Sequence, residues 1–229
     1  MLEIRHKKTR AVLLAVDAES LCNRKISGAR LRGADLTGVD LSGADLVNTD
    51  LRDADLAHAN LSGCTMNGVY LEGANLVHAV LSHANLTDAH LQNAELQEAH
   101  MRGAILRYAQ LRDAILIEAD LCEADLTMAD LRANFQSAKL IRADLRAADL
   151  TGANLRGADL QEANLKGAKL TSAQLAGANV FGMIDVNGNR THIQPAPDAR
   201  KTNAAIQKRR VAARRHKHAV PWWKFWVRA

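Results

Sequence analysis

Leucine returns every fifth residue across most of this chain, and that spacing restricts the fold more than any other feature. Leu31, Leu36, Leu41, Leu46, Leu51, Leu56 and Leu61 keep it, with Met66 and Met101 standing in for Leu. Each is preceded by a small residue and then Asp or Asn, as in Ala34-Asp35-Leu36 and Ala54-Asp55-Leu56, and is followed by two freer positions. Self-similarity at a fixed period decides architecture before any local propensity does. On an α-helix of about 100° per residue, every fifth side chain advances about 140°, so the leucines would spiral and form no apolar face. In a straight strand an odd period sends successive leucines to opposite faces. Ala and Leu point the same way each time only if the chain turns a corner once per quintet. The expected fold is therefore all-β: short extended segments joined by corners and wound into a solenoid. Leu would lie inside, the small Ala at the crowded corner, and the Asp or Asn and the following pair outside.

The motif A(D/N)LXX covers about two-thirds of the chain, and it resembles the pentapeptide-repeat family. That resemblance implies a right-handed quadrilateral parallel β-helix with four quintets to a coil, so residues twenty apart would stack at about 4.8 Å. It also implies a class of partner. Some members of the family imitate duplex DNA in width and charge and bind type II topoisomerases such as DNA gyrase, inhibiting or protecting them, quinolone protection included.

The pattern divides the chain. Residues 1–25 read as an N-terminal cap, with Leu2–His6 and Ala11–Val16 forming a hairpin around a polar turn; a helix over 11–22 is the other reading. Residues 26–183 carry the repeats, although Leu21 already keeps the register. Within them Ala129-Asp130-Leu131-Arg132 runs straight into Ala133-Asn134-Phe135, one residue short, before Leu140 and Leu145 resume the period. A tightened corner filled by Phe135 and a kink between two half-rods are both consistent with that slip. Residues 184–194 suggest a closing hairpin with an Asn187-Gly188 turn. In residues 195–229, Pro195 and Pro197 mark a linker and Ala199–Ala219 is either a solvated helix or unstructured. The chain ends in Trp222, Trp223, Phe225 and Trp226.

Charge follows the same divisions. The net +5 of the whole chain conceals +3 in residues 1–25, −7 in 26–183 and +9 in 184–229. An acidic rod with a basic tail is a different object from a uniformly basic protein. Cys22, Cys64 and Cys122 are an odd set without metal-type spacing, and the N-terminus lacks a long apolar run, so a reduced cytoplasmic protein is expected. Cys64 replaces a corner Ala and is expected to be buried; Cys122 falls on an outward position.

Stacking by twenties places Asp35, Asp55, Glu95, Glu98 and Glu118 on one acidic face, with His58 and His78 beside them. Arg32, Arg52, Arg112 and Arg132 form an interrupted ladder on a neighbouring face. Ile105, Tyr108 and Met128 lie on one side, Ile115 and Ile117 on the opposite one. The repeated Asp residues suit corner hydrogen bonding, and the histidines do not converge as metal ligands would. Neither catalysis nor a cofactor is expected. The readings that remain are a non-enzymatic protein-interaction scaffold and a DNA-mimicking modulator of type II topoisomerase. The aromatic end is expected to pack against protein, as a homodimer contact or on a coil end, or to rest on an anionic membrane surface. Nucleic acid is expected to bind, if at all, through the basic tail.

Overall fold

A computed structural model describes residues 1–191; the linker, the basic segment and the aromatic cluster of the tail lie outside the described residues. Strands, bridges and turns make up the described chain, with no helix among these residues. Parallel bridges join residues twenty apart, such as Lys25–Asp45, Arg30–Asp50, Asp35–Asp55 and Asp40–Asn60, and each continues upward as a column. Four quintets thus make one coil. Each of the four defines one flank of the rod, named below by a residue of its bridge column: Asp40, Asp45, Asp50 or Asp55.

The motif is explained by following its five backbone N–H groups, all of which need a partner once buried. In Ala54-Asp55-Leu56-Ala57-His58, Ala54 N–H closes the corner onto Leu51 C=O (3.0 Å). Asp55 N–H reaches down to Ala34 C=O (2.8 Å), while Leu56 and His58 reach up to Asn75 C=O (2.7 Å) and Val77 C=O (3.0 Å). The remaining N–H, that of Ala57, is taken by the Asp55 side chain itself (3.2 Å). A short carboxylate or amide one residue before Leu is what reaches two residues on, which is why Asp and Asn hold that position. The same bond recurs at Asp45, Asp50, Asn60, Asn75, Asn85 and Asp120.

The interior is one continuous cluster in which Leu and Ala of nearly every quintet are fully buried. Cys64, at 1% exposure, takes an Ala place and donates its thiol to Leu41 C=O (2.9 Å). Cys122 departs from the outward place its register suggests: it is buried at 6% exposure. It stands in its column between Arg102 and Ile141, two larger side chains, and its short thiol lies against Asp120 instead of reaching solvent. Burial pushes both thiols up to about 11.

The slip is a tightened corner. An ordinary corner is closed by a bond three residues back, as Ala129 N–H to Leu126 C=O, whereas Ala133 N–H bonds Leu131 C=O, two back (2.8 Å). That coil has nineteen residues, Ile115 pairing Asn134 and Asp130 pairing Asp149, and Asn134–Asn154 restores twenty. Every column passes the slip unbroken, with fully buried Phe135 in a Leu place.

At the N-terminus β1 (Leu2–His6) and β2 (Val12–Val16) form an antiparallel hairpin. β1 also pairs antiparallel with β3 (Ala34–Asp35), on the first coil. Ile4 is buried over the Leu stack, so the open edge of the first coil is covered, as an edge requires. Coil pairing itself begins at Asn23, and at the other end it runs past residue 183 to Ile184, which pairs Asn164, and to Val186, which receives Gly167 N–H. A turn follows, with Gly188 at φ +86° and an antiparallel bridge from Ile184 to Arg190.

A candidate protein-binding flank

The register converts the linear list of charges into four flanks with different character. Asp35, Asp55 and Glu95 lie in one bridge column with Asn75 and Ile115. Glu98 and Glu118 lie in the corner column of the same quintets, above His58 and His78. All five acidic residues therefore share the Asp55 flank, where the coil register supplies a single Lys or Arg, Arg156.

The five are not equivalent. Asp35 is ion-paired with Arg10 from the cap hairpin (2.7 Å), and that guanidinium is the first cause holding its carboxyl below the usual range. Asp55 holds Ala57 N–H and accepts from the Asn75 amide (3.0 Å). Both are committed to the fold. Glu95 occupies the Asp place with a longer side chain and makes no such bond to Gln97 N–H among the described residues. Glu98 lies 3.6 Å from His78, its one ion-pair contact among the described residues, and Glu118 has none among them. Glu95, Glu98 and Glu118 are exposed. Ile115 stands above Glu95 in its column, and Ile117 follows in the same quintet, so the three carboxylates border two partly exposed isoleucines. A shallow groove of about 370 Å³ runs from this cluster around the corner, between His78, Glu98, Glu118, His100, Asp120 and Lys139.

The histidines behave differently from ligands. His58 and His78 stack face to face, centroids 4.9 Å apart. His90 stacks on Tyr70 at the same separation, in another column. Among the described residues no group of three or more His, Cys, Asp or Glu is arranged to hold a metal ion.

On the adjacent Asp50 flank four of the acids are paired with arginine in place, Glu72 being without an ion partner among the described residues. Arg52 bonds Asp50 (2.6 Å), Arg32 bonds Asp53 (2.9 Å), Arg132 bonds Asp130, and Arg112 lies 3.5 Å from Asp113. The Arg ladder read from the sequence is real, but each rung is spent on a neighbouring carboxylate. Arg52 additionally lies 5.7 Å over the Tyr70 ring. What periodicity alone could not separate was engaged from unengaged acid. The signal that could have done so was the replacement of Asp by Glu at position 95, and of the usual corner Gly, Asn or Asp by Glu at 98 and 118.

Stacked coils, a Leu and Ala interior and side-chain-capped corners define a repeat solenoid whose surface is set by register. The chain belongs to the pentapeptide repeat family, whose model, "Pentapeptide repeats (8 copies)", matches residues 20–53, 29–68, 66–103, 104–132, 131–167 and 148–182. It is similar to the solved structure of HetL from the cyanobacterium Nostoc sp. strain PCC 7120, a pentapeptide repeat protein involved in heterocyst differentiation regulation. Identity is 32%, over 76% of this chain and 94% of that one, with a TM-score of 0.31. QnrB1, a plasmid-mediated fluoroquinolone resistance protein, is 20% identical over 83% of this chain and 95% of its own, with a TM-score of 0.45. Rfr23 from the cyanobacterium Cyanothece 51142 is 24% identical over 63% and 85%, with a TM-score of 0.34. No curated protein matches the chain.

Proposed function

We propose that this protein is a non-enzymatic, cytoplasmic interaction scaffold, a right-handed four-sided rod that presents Glu95, Glu98 and Glu118, with Ile115 and Ile117, to a basic protein surface. One observation carries the reading: these three carboxylates are exposed and have no Lys or Arg partner among the described residues, while four acids of the Asp50 flank, Asp50, Asp53, Asp113 and Asp130, are each paired with an arginine. Rigidity favours the role, because a stack of hydrogen-bonded coils loses little ordering entropy on binding. The mixture of charge and isoleucine suits a protein partner, with apolar anchors at the centre and charge at the rim.

The same acidic flank favours a second reading, imitation of DNA toward a type II topoisomerase, which the family resemblance raises. Charge density decides the order of the two. Duplex DNA carries one negative charge per about 1.7 Å, whereas five acids from Asp35 to Glu118 span four coil spacings, about 19 Å, or roughly one per 4 Å. Two of the five are also committed within the fold. The scaffold reading therefore leads.

Affinity capture with the wild-type rod and with Glu95→Lys/Glu98→Lys/Glu118→Lys tests both. The triple reversal is expected to lose a partner that the wild type retains, with the same melting midpoint. Identical capture by the two proteins would refute the flank. Inhibition or protection of gyrase supercoiling by the wild type, lost in the triple reversal and weakened steeply by salt, would promote the mimicry reading over the scaffold.

A further inference from the structure

A second surface, on the Asp45 flank, is unlike the acidic one. Tyr108 and Met128 stack in its corner column, 52% and 53% exposed, and Ile105 in its bridge column is 37% exposed. Of the large apolar side chains exposed on the rod, these three are the ones that adjoin. Arg107 stands between Ile105 and Tyr108 in the chain and is ion-paired with Asp125 (2.5 Å). One coil below Tyr108 in the same corner column is Asp88, with no ion partner among the described residues.

We infer that this patch is the docking site for the chain's own Trp222-Trp223-Lys224-Phe225-Trp226 segment. Three considerations lead there. An aromatic cluster of this size needs cover, and so does a strip of adjoining exposed apolar side chains. The described chain also ends on the flank that carries the patch: Ile105, Asp125, Asp144, Asn164 and Ile184 form one column, and Thr191, the last described residue, bonds Met183 beside Ile184. From Ile184 to Ile105 is four coil spacings, about 19 Å. The 31 residues from Thr191 to Trp222 cover that distance easily, reaching about 46 Å even if fully helical. The chemistry matches as well. Lys224 and Arg228, within and just after the aromatic run, meet Asp88, and the Arg107 guanidinium offers a plane for an indole to stack on. The inference is independent of the acidic flank, which lies two quintets away around the coil.

The chain's three tryptophans are all in this segment, so tryptophan emission, excited at the red edge of the indole band where Tyr70 and Tyr108 do not absorb, reports on it alone. Tyr108→Glu/Met128→Glu is the disrupting variant; Glu98, Glu118 and Glu123 show that the corner position accepts Glu. Ile115→Glu/Ile117→Glu, on the other flank, is the control. The wild type and the control are expected to show blue-shifted emission in lipid-free buffer. The disrupting variant is expected to emit like exposed indole, with a roughly twofold or greater rise in acrylamide quenching as the indoles leave their packed site. Its far-ultraviolet melting should be unchanged. Equal emission in the disrupting variant and the control would overturn the proposal. So would a blue emission that fades on dilution as a doubled mass halves, which would assign the segment to a second copy. Exposed emission in the wild type that shifts only on adding anionic vesicles would assign it to a membrane and likewise overturn the proposal.

Discussion

The Asp50 and Asp55 flanks are adjacent, are built from the same motif and carry similar numbers of acids, yet they present opposite surfaces. Along the Asp50 flank the residue after Leu is Arg at positions 32, 52, 112 and 132, within reach of the carboxylates at 53, 50, 113 and 130. Along the Asp55 flank that position holds Thr37, Ala57, Val77, Gln97 and Ile117, and Glu95, Glu98 and Glu118 meet no Lys or Arg among the described residues. The net −7 of the repeats is thus unevenly displayed. In a solenoid, net charge says little until the register assigns each residue to a flank, and one position in the quintet decides whether a flank is self-neutralised or available.

The largest expected effect lies beneath both flanks. Leu96 is fully buried, and Glu95, its chain neighbour, is exposed. Losing a buried Leu costs roughly 1.5–3 kcal/mol, and leaving an unpaired ammonium in its place costs more. Leu96→Lys is expected to unfold or fray the rod, whereas Glu95→Lys should leave the circular-dichroism melting curve in place. Equal melting of the two variants would mean that the inward register is misassigned.

Charge reversal should then separate the flanks. Asp50→Lys/Asp130→Lys takes away the acceptors of the Arg52 and Arg132 backbone N–H groups and leaves Lys facing Arg52 and Arg132. The carboxylates are partly buried, so a loss of about 1–2 kcal/mol in urea denaturation is expected for the pair. Glu95→Lys/Glu98→Lys/Glu118→Lys changes three charges and should cost nothing measurable. A comparable loss in both would show that the acidic flank is structural after all.

Most of this architecture was legible because the determinants are local. The Leu spacing forces the corner, and the Asp or Asn requirement is a bond spanning two residues, so the solenoid follows from counting; the common flank of the five acids needed in addition the four quintets per coil that the family resemblance implies. The cap hairpin's role was less visible: Arg10 reaches Asp35 across 25 positions, and no periodicity encodes that contact. Cys122 escaped for a related reason, since its burial depends on the sizes of Arg102 and Ile141, one coil away on either side. Sequence position gave its column but not its depth.

A smaller effect comes from pH. The Arg52 and Arg132 side chains are the first causes holding Asp50 and Asp130 below the ordinary carboxylate range. A depressed folded-state value adds stability that is fully present above the unfolded value, near pH 4, and is lost as pH falls through the folded one. Asp50→Asn/Asp130→Asn keeps an acceptor for the backbone N–H and discards the charge. The wild type should therefore be the more stable near neutrality, with the gap in denaturation midpoint closing below about pH 4. A gap that persists at low pH would mean that something other than the ion pairs separates the two proteins.

The smallest effect concerns the corner beneath the candidate site. On the Asp50 flank the corner residues are Gly33, Asp53, Gly73, Asn93 and Asp113, types that tolerate positive φ. On the Asp55 flank four successive corners, His58, His78, Glu98 and Glu118, hold larger side chains at φ between +55° and +60°. Such a conformation costs a non-glycine residue on the order of 1 kcal/mol, and it persists where the surroundings enforce it. Here the enforcing bonds are the rungs from Glu98 N–H to Ile117 C=O and from Glu118 N–H to Gln136 C=O, both 3.0 Å. Glu118→Gly relieves the strain but also frees the unfolded chain, so a net change of a few tenths of a kcal/mol, stabilising if anything, is expected. Glu118→Ala loses the carboxylate and keeps the strain, and should be the less stable of the two. Both should weaken capture of a basic partner to the same extent, because both remove the same charge. If Glu118→Gly binds worse than Glu118→Ala, the corner's fixed geometry contributes to recognition, and the difference between the two flanks is one of backbone as well as charge.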